Sequence, residues 1–293
     1  MQALNTCNAL FLSTGMGKRM ENVVYITSRQ NSTVNFVASL KEKKYREKYK
    51  SFTVEGFKLF EEAVSAQLPI THLLVAESKK DIYLMRAASM LKDANLENIG
   101  IFQLSDACFA KISNEKAPQG IIAVIKHLDF FERCIKIYKK DIFSSTRALC
   151  LCSVRDPGNL GAIIRSAVAF GTDTLILSAD CAELYNPKTL RAAMGGLFKL
   201  RVFMVEDLRS SVLAILEGGR RVFAAELSKR SISLYEAEPA KQDVFVIGNE
   251  GHGIPSEISS VCSASVYIPI SENAESLNAA VAASVLLYEQ NRA

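Results

Sequence analysis

The sequence predicts a two-domain α/β protein: a small N-terminal α/β unit, then a larger unit built on a mostly parallel sheet. Three observations predict it. A length of 293 residues, 49% of them hydrophobic, accommodates two domains with real cores. Strand and helix signals alternate through both halves of the chain. The C-terminal strand segments are near-continuous apolar runs, the mark of parallel strands buried on both faces.

The first unit is expected over residues 24–127. Thr33 to Tyr49 reads as a charged helix and Phe52 to Glu55 as a strand. Gly56 to Gln67 is a helix with Phe57, Phe60 and Val64 on one face. Ile70 to Val75 is a strand, Asp81 to Leu91 a helix and Ile101 to Leu104 a short strand. Ser105 starts another helix with Asp106 in its first turn, and Gly120 to Ile125 is an apolar strand. Residues 128–146, with the Lys139–Lys140 pair, read as a linker with a helical stretch.

The second unit, 147–293, opens with the strand Arg147 to Val154. A turn at Arg155–Asn159 leads to a helix from Leu160 to Phe170, closed by Gly171. Thr174 to Leu177 is a strand, and Asn186–Pro187 opens a helix with Asn as cap and Pro at the first position. Strands recur at Val202–Val205, Val222–Ala225, Val244–Ile247 and Val266–Ile270. An apolar helix to Tyr288, read as buried, closes the chain.

Bulk composition excludes several classes. Apolar runs are broken by charge well before the ~18–20 residues of a membrane span, so a soluble protein is expected. Residues 1–23 lack a basic residue ahead of the apolar patch Ala9–Leu12 and make a poor signal peptide; they read as a disordered tail or a misplaced start. The seven cysteines contain no CxxC pair, and Cys150 and Cys152 share one strand face. Buried free thiols in a reducing cytoplasm are the expectation. The three scattered histidines offer no metal spacing, so no metal is expected. Net charge is only +4, but Arg29 to Lys58 holds eight Lys or Arg against three Glu. The densest stretch carries Lys41, Lys43, Lys44, Arg46 and Lys48 with interleaved tyrosines. It suits a polyanion such as RNA, or else a solvated helix face with Glu–Lys pairs.

Three segments carry chemistry. Asp156–Gly171 lies where a strand gives way to a helix, the end of a parallel sheet at which ligands bind. It places Arg165 among Ile163, Ile164, Ala167 and Val168, where a cation needs a partner: a carboxylate in a salt bridge, or an anion or sugar. Val246–Pro255 is a strand running into a glycine-rich turn that lets backbone amides approach a ligand. It has neither the GKS/T of a phosphate loop nor a GxGxxG pattern, which disfavours a nucleotide-dependent oxidoreductase. Ile268–Asn278 precedes the last helix, with Ser276 and Asn278 either as caps or as polar groups aimed at a ligand.

Together, in this order, these segments resemble the SpoU/TrmH family of RNA ribose 2'-O-methyltransferases within the SPOUT superfamily, over about Ala148 to Glu289. The region from Ile26 to Val124 resembles the family's small RNA-binding domain, itself similar to certain ribosomal proteins. The resemblance implies a C-terminal trefoil knot whose loops bind S-adenosyl-L-methionine in a bent form, in a homodimer with the site near the subunit interface. It puts Gly248, Asn249, Gly251, Gly253, Ile268, Ile270 and Leu277 at the cofactor. It puts Asn159, Arg165, Glu250, Ser276 and Asn278 at the catalytic site, with Arg165 activating the ribose hydroxyl. RNA is the implied substrate, ribosomal before transfer RNA, with a non-catalytic RNA-binding protein on the same fold as the alternative. Two positions depart from the family pattern. Glu272 stands where Gly is usual and would crowd the cofactor loop, and Ala193 replaces a common Ser, which weakens any role for Arg191.

Overall fold

The computed structural model describes residues 23–94, 96, 98–128, 147–249 and 251–292. Residues 1–22 of the expected tail, 129–146 of the linker expected over 128–146, and Glu250 lie outside the described residues. The chain divides into two compact units, Met1–Leu128 and Asp129–Ala293.

The N-terminal unit is a five-stranded mixed sheet with helices on both faces. Its elements are β1 (Val24–Ile26), α1 (Ser32–Ser39), α2 (Lys43–Tyr49), β2 (Ser51–Glu55), α3 (Phe57–Ser65), β3 (Ile70–Ala76), α4 (Lys80–Asp93), β4 (Gly100–Leu104), α5 (Asp106–Ile112) and β5 (Ile121–Lys126). Strand order is β1-β4-β3-β5-β2, with β5 antiparallel to both its neighbours. On one face Val34, Val37 and Leu40 of α1 pack with Leu74, Leu104, Phe109 and Val124.

The expected single helix over Thr33–Tyr49 is broken into α1 and α2. Asn31 caps α1 by accepting from the Thr33 amide, and α1 ends at Leu40. Arg46, only 3% exposed, donates at 2.7 Å to the carbonyls of Leu40 and Lys41, which satisfies the orphaned end of α1. Lys41 Nζ donates to the Ser113 carbonyl, and burial pushes its ammonium down, with Glu55 opposing. Two of the five cations expected at RNA are thus engaged by the fold itself, and Arg46 is withdrawn from that role because it is buried on two carbonyls. Lys43, Lys44 and Lys48 are exposed.

The C-terminal unit is a seven-stranded sheet, parallel throughout, in the order β10-β12-β9-β11-β6-β7-β8. Its elements are β6 (Ala148–Leu151), α6 (Pro157–Ala169), β7 (Thr174–Ser178), α7 (Pro187–Ala193), β8 (Arg201–Val205), α8 (Leu208–Glu217), β9 (Val222–Ala225), β10 (Ile232–Ser233), α9 (Leu234–Ala237), β11 (Val244–Ile247), α10 (Ser256–Ser259), β12 (Ala264–Tyr267) and α11 (Ala279–Arg292). One face buries Cys150, Ile176, Phe203, Ala224 and Val246 against Val212 and Ile215 of α8 and Ile258 of α10. Helix α6 packs against α7 and α11. It meets α7 so closely that a Cβ on Gly161 would lie 2.4 Å from the Thr189 carbonyl.

Three boundaries differ from expectation. Strand β6 stops at Leu151 because Ser153, at φ +55°, turns the chain. The expected Arg155–Asn159 turn is already helical from Pro157: Asp156 caps it by accepting from the Asn159 amide at 2.9 Å, and Pro157 sits in the first turn. Strand β12 ends at Tyr267, just short of Pro269, which has no amide hydrogen for the ladder. Helix α11 buries one stripe, including Ala283, Leu286 and Leu287, but leaves Val281 and Tyr288 48% and 57% exposed, so it is not buried all round as expected.

Arg46→Ala is expected to lower the stability of the N-terminal unit by about 2 kcal/mol, with Arg46→Lys recovering only part because it lacks the planar fork. Amide exchange across residues 40–55 under mild urea reads this out, and unchanged protection contradicts the capping role.

Candidate active site

Strands β9, β11 and β12 are neighbours, and the loops at their C-terminal ends build the site. Ile247 is the register partner of Ala225, and Ala225 of Val266, so the residues following each strand emerge side by side. Two features result: a tight glycine turn after β11 and an open cleft beyond β9 and β12.

The glycine turn is closed by reciprocal backbone bonds between Asn249 and Gly253. A Cβ on Gly248 would lie 2.5 Å from the Gly253 carbonyl carbon, so only glycine permits this approach. Asn249 Oδ1 accepts from the amides of Gly251 and His252, while its Nδ2 donates to the Ser153 carbonyl at 2.8 Å. Ser153 is held in turn: its Oγ donates to Asp180 at 2.6 Å, and its amide donates to Ser178 Oγ. Arg155 also reaches Asp180, at 3.0 Å. Burial raises the Asp180 carboxyl, but the hydrogen bonds from Ser153, Ser178 and Arg155 outweigh it and bring the pKa down to about 2.

The cleft has a volume of about 540 Å³, within the range of small-ligand sites. Ile268, Ile270, Ser276 and Leu277 line it, as does Glu226, which accepts from Ser265 Oγ at 2.7 Å. Leu227 at its edge is 80% exposed and Ile270 40% exposed, apolar surface suited to a flat ring. Glu272 lines the rim and is itself exposed.

The expected site residues fall into three groups. Ile268, Ile270, Leu277 and Ser276 share the cleft. Gly248, Asn249, Gly251 and Gly253 form the turn at the end of the adjoining strand. Asn278 and Asn159 are joined directly, Nδ2 to Oδ1 at 3.0 Å, while Asn278 Oδ1 also accepts from the Ala280 amide at the start of α11. Asn278 is thus at once a cap and a bridge between the cleft loop and α6. Arg165, carried by α6, is not enclosed among apolar neighbours as its sequence context suggested. It is exposed and, among the described residues, makes no ion pair. The helical phase turns it outward while Ile163, Ile164 and Ala167 face the core.

Sequence reasoning missed Ala225–Leu227 and the Ser153–Ser178–Asp180 group. The usable signal was positional, since both lie at or just past the C-terminal ends of parallel strands. Among the described residues, no cluster of His, Cys, Asp or Glu is placed to hold a metal, and no helix is long and apolar enough to cross a membrane.

The model of the SpoU rRNA Methylase family matches residues 146–288, and that of the MRM3-like substrate binding domain matches 31–123. A 23S rRNA (guanosine(2553)-2'-O)-methyltransferase of Bacillus subtilis is 31% identical over 263 residues, covering 90% of this chain and 97% of that protein. The chain belongs to the SpoU methylase family. A 23S rRNA (uridine(2479)-2'-O)-methyltransferase of Streptomyces viridochromogenes is 27% identical over 286 residues, covering 96% of each. The AdoMet-bound structure of an rRNA methyltransferase from Sinorhizobium meliloti superposes with a TM-score of 0.78 at 26% identity, covering 92% of this chain and 98% of that one.

Asn249→Ala is expected to raise amide exchange at Gly251 and His252 about tenfold or more, as each loses its acceptor. Because the Asp180 carboxyl is depressed from 3.8 to about 2, its stabilising contribution is fully present above the ordinary carboxylate range, declines as pH falls below 3.8 and is gone once pH passes below about 2. Protection factors of the wild-type turn therefore stay level from about pH 5 to about pH 8. An inflection there, or unaltered exchange in the variant, contradicts the anchoring scheme.

Proposed function

We propose that this SpoU methylase transfers a methyl group from S-adenosyl-L-methionine to a ribose 2'-hydroxyl of RNA, ribosomal in preference to transfer RNA. The observation that carries the reading is the Asn278–Asn159 hydrogen bond, which couples the cleft loop to the helix bearing Arg165. The ribosomal preference rests on the Bacillus and Streptomyces relatives, both named for ribose methylation of 23S rRNA.

The cofactor, when bound, supplies a methyl group made electrophilic by its sulfonium. The cleft fits it: apolar side chains of Leu227, Ile268, Ile270 and Leu277 for a purine face, and the Glu226 carboxylate for polar or cationic groups. A ribose hydroxyl is a poor nucleophile until it loses its proton. A guanidinium with a pKa above ~12 is a feeble base, so Arg165, oriented by a substrate phosphate bound bidentately, stabilises the developing alkoxide electrostatically and at most transiently accepts the hydroxyl proton, which passes on to water, the methyl donor being left as a neutral thioether. Asn159 and Asn278 hold the ribose side of the site, Ser276 supplies a hydroxyl at the cleft, and Glu250 is assigned to fixing Arg165. In-line attack at close range makes positioning a large share of the rate.

A homodimer completes the site in this reading. Val281 and Tyr288 of α11, with Val285 and Ala162, leave an apolar strip beside the helix that carries the exposed Arg165. A second copy covering that strip would bring Arg165 out of bulk water. A trefoil knot is assigned to the C-terminal segment: β11 is inserted between β6 and β9, and α11 returns to pack on β11 and α6 after the loop at 268–278. The N-terminal unit is assigned to RNA through Lys43, Lys44 and Lys48. The free thiols of Cys108, Cys150, Cys152, Cys181 and Cys262 suit a reducing cytoplasm.

Arg165→Ala is expected to lower transfer of labelled methyl groups to ribosomal RNA by about a hundredfold or more, while calorimetric binding of S-adenosylmethionine persists. Wild-type turnover from that variant rules out the assignment. Val281→Glu is expected to yield a monomer by sedimentation, folded but inactive, and a fully active monomer contradicts the shared site.

A further inference from the structure

On the N-terminal unit, five rings form an unbroken run along the margin of the hydrophobic core, against which Phe36 and Phe102 pack. Tyr45 and Tyr49, one turn apart on α2, stack with centroids 6.1 Å apart and planes 12° off parallel. Tyr49 meets Phe36 of α1 edge-on at 5.3 Å. Phe36 meets His72 of β3 at 5.5 Å, and His72 stacks on Phe102 of β4 at 5.6 Å and 19°. None of the five is fully buried, and Tyr49 is 42% exposed. The buried anchors of α1 and α2 are Val34, Val37, Leu40 and Arg46, with Phe36 adding a half-buried contact, whereas Tyr45 and Tyr49 are not part of that core.

Exposed cations border the run. Lys44 Nζ lies over the Tyr45 ring, 4.7 Å from its centre, and Lys48 Nζ over the Tyr49 ring at 5.4 Å, so a stacking base displaces these exposed ammonium groups toward its own phosphates. Lys44 also pairs with Glu42 and Lys43 with Glu47, whereas Lys48 and Lys50 make no ion pair among the described residues. Burial holds the His72 imidazole below its ordinary pKa, which keeps that ring uncharged at neutral pH.

We propose that this aromatic run, with its lysine border, is a stacking platform for unpaired nucleotides of the RNA substrate. The inference rests on the reading of the N-terminal unit as the RNA-binding part, and adds the kind of RNA it takes. Aromatic faces stack on any base, but only where the base is free of its own helix. Lysines alone attract phosphates of single and double strands alike. Rings and lysines together therefore select a loop, bulge or strand end over a duplex.

The full-length protein is titrated by fluorescence anisotropy with a short labelled oligouridylate and with a blunt RNA duplex of the same length. The wild type should prefer the single strand. Replacing Tyr45 and Tyr49 by Leu keeps apolar bulk and removes the π faces. That variant should lose about tenfold or more for the single strand, lose nothing for the duplex, and keep the slope of affinity against salt. The Tyr45→Phe, Tyr49→Phe pair should bind as wild type. If the double Leu variant unfolds, Tyr49→Leu alone at its exposed position carries the same comparison. Unchanged single-strand affinity, or equal losses for both RNAs, overturns the platform. Changing Lys43, Lys44 and Lys48 to Gln separates the two layers. Weakened binding of both RNAs there, with the Leu variant unaffected, leaves the RNA-binding reading standing and the platform refuted. No effect of either set refutes both.

Discussion

The close approach of the Gly248 and Gly253 backbones is the constraint on which the candidate site depends. With no side chain at 248, Asn249 and Gly253 exchange backbone bonds and the chain reverses within a few residues of the central strand β11. The reversal leaves the Asn249 amide group free to face inward, where it binds Ser153 and ties the turn to the end of β6. From there the anchoring passes to Asp180 beyond β7, so three adjacent strand ends share one polar network. Among the described residues of the turn, the amides of Asn249, Gly251, His252 and Gly253 are all satisfied from within the fold.

That internal anchoring contrasts with the open surfaces nearby. Arg165 is exposed, the stripe of α11 formed by Val281 and Tyr288 is uncovered, and the cleft is open at Leu227 and Glu272. A cation in bulk water stabilises a developing negative charge weakly, and the same cation in a desolvated pocket does so strongly. In the proposed dimeric enzyme these parts would gain their strength as water is displaced, by RNA on one side and by a second copy on the other.

Much of this was legible in the sequence. The apolar strands Val222–Ala225 and Val244–Ile247 have the boundaries their periodicity gives, because a strand buried on both faces leaves little ambiguity about where burial ends. Ile268, Ile270 and Leu277, expected at the cofactor, and Ser276, expected at the catalytic site, line one cleft. What was not legible depended on tertiary partners. No local signal breaks the charged stretch 33–49, and the break is stabilised by Arg46 reaching back to the end of α1. Arg165 looked buried from its neighbours in the chain, yet helical phase sends it outward. The Ser153–Asp180 network joins residues that no motif links, and Ala225–Leu227 become site residues only because β9 lies beside β12.

Amide exchange with and without saturating S-adenosylmethionine tests the central claim most directly, since it locates the cofactor without relying on turnover. The account predicts new protection concentrated at residues 225–227, 248–253 and 268–278, with the N-terminal unit unaffected. Protection that spares those three segments and gathers elsewhere in the chain would contradict it.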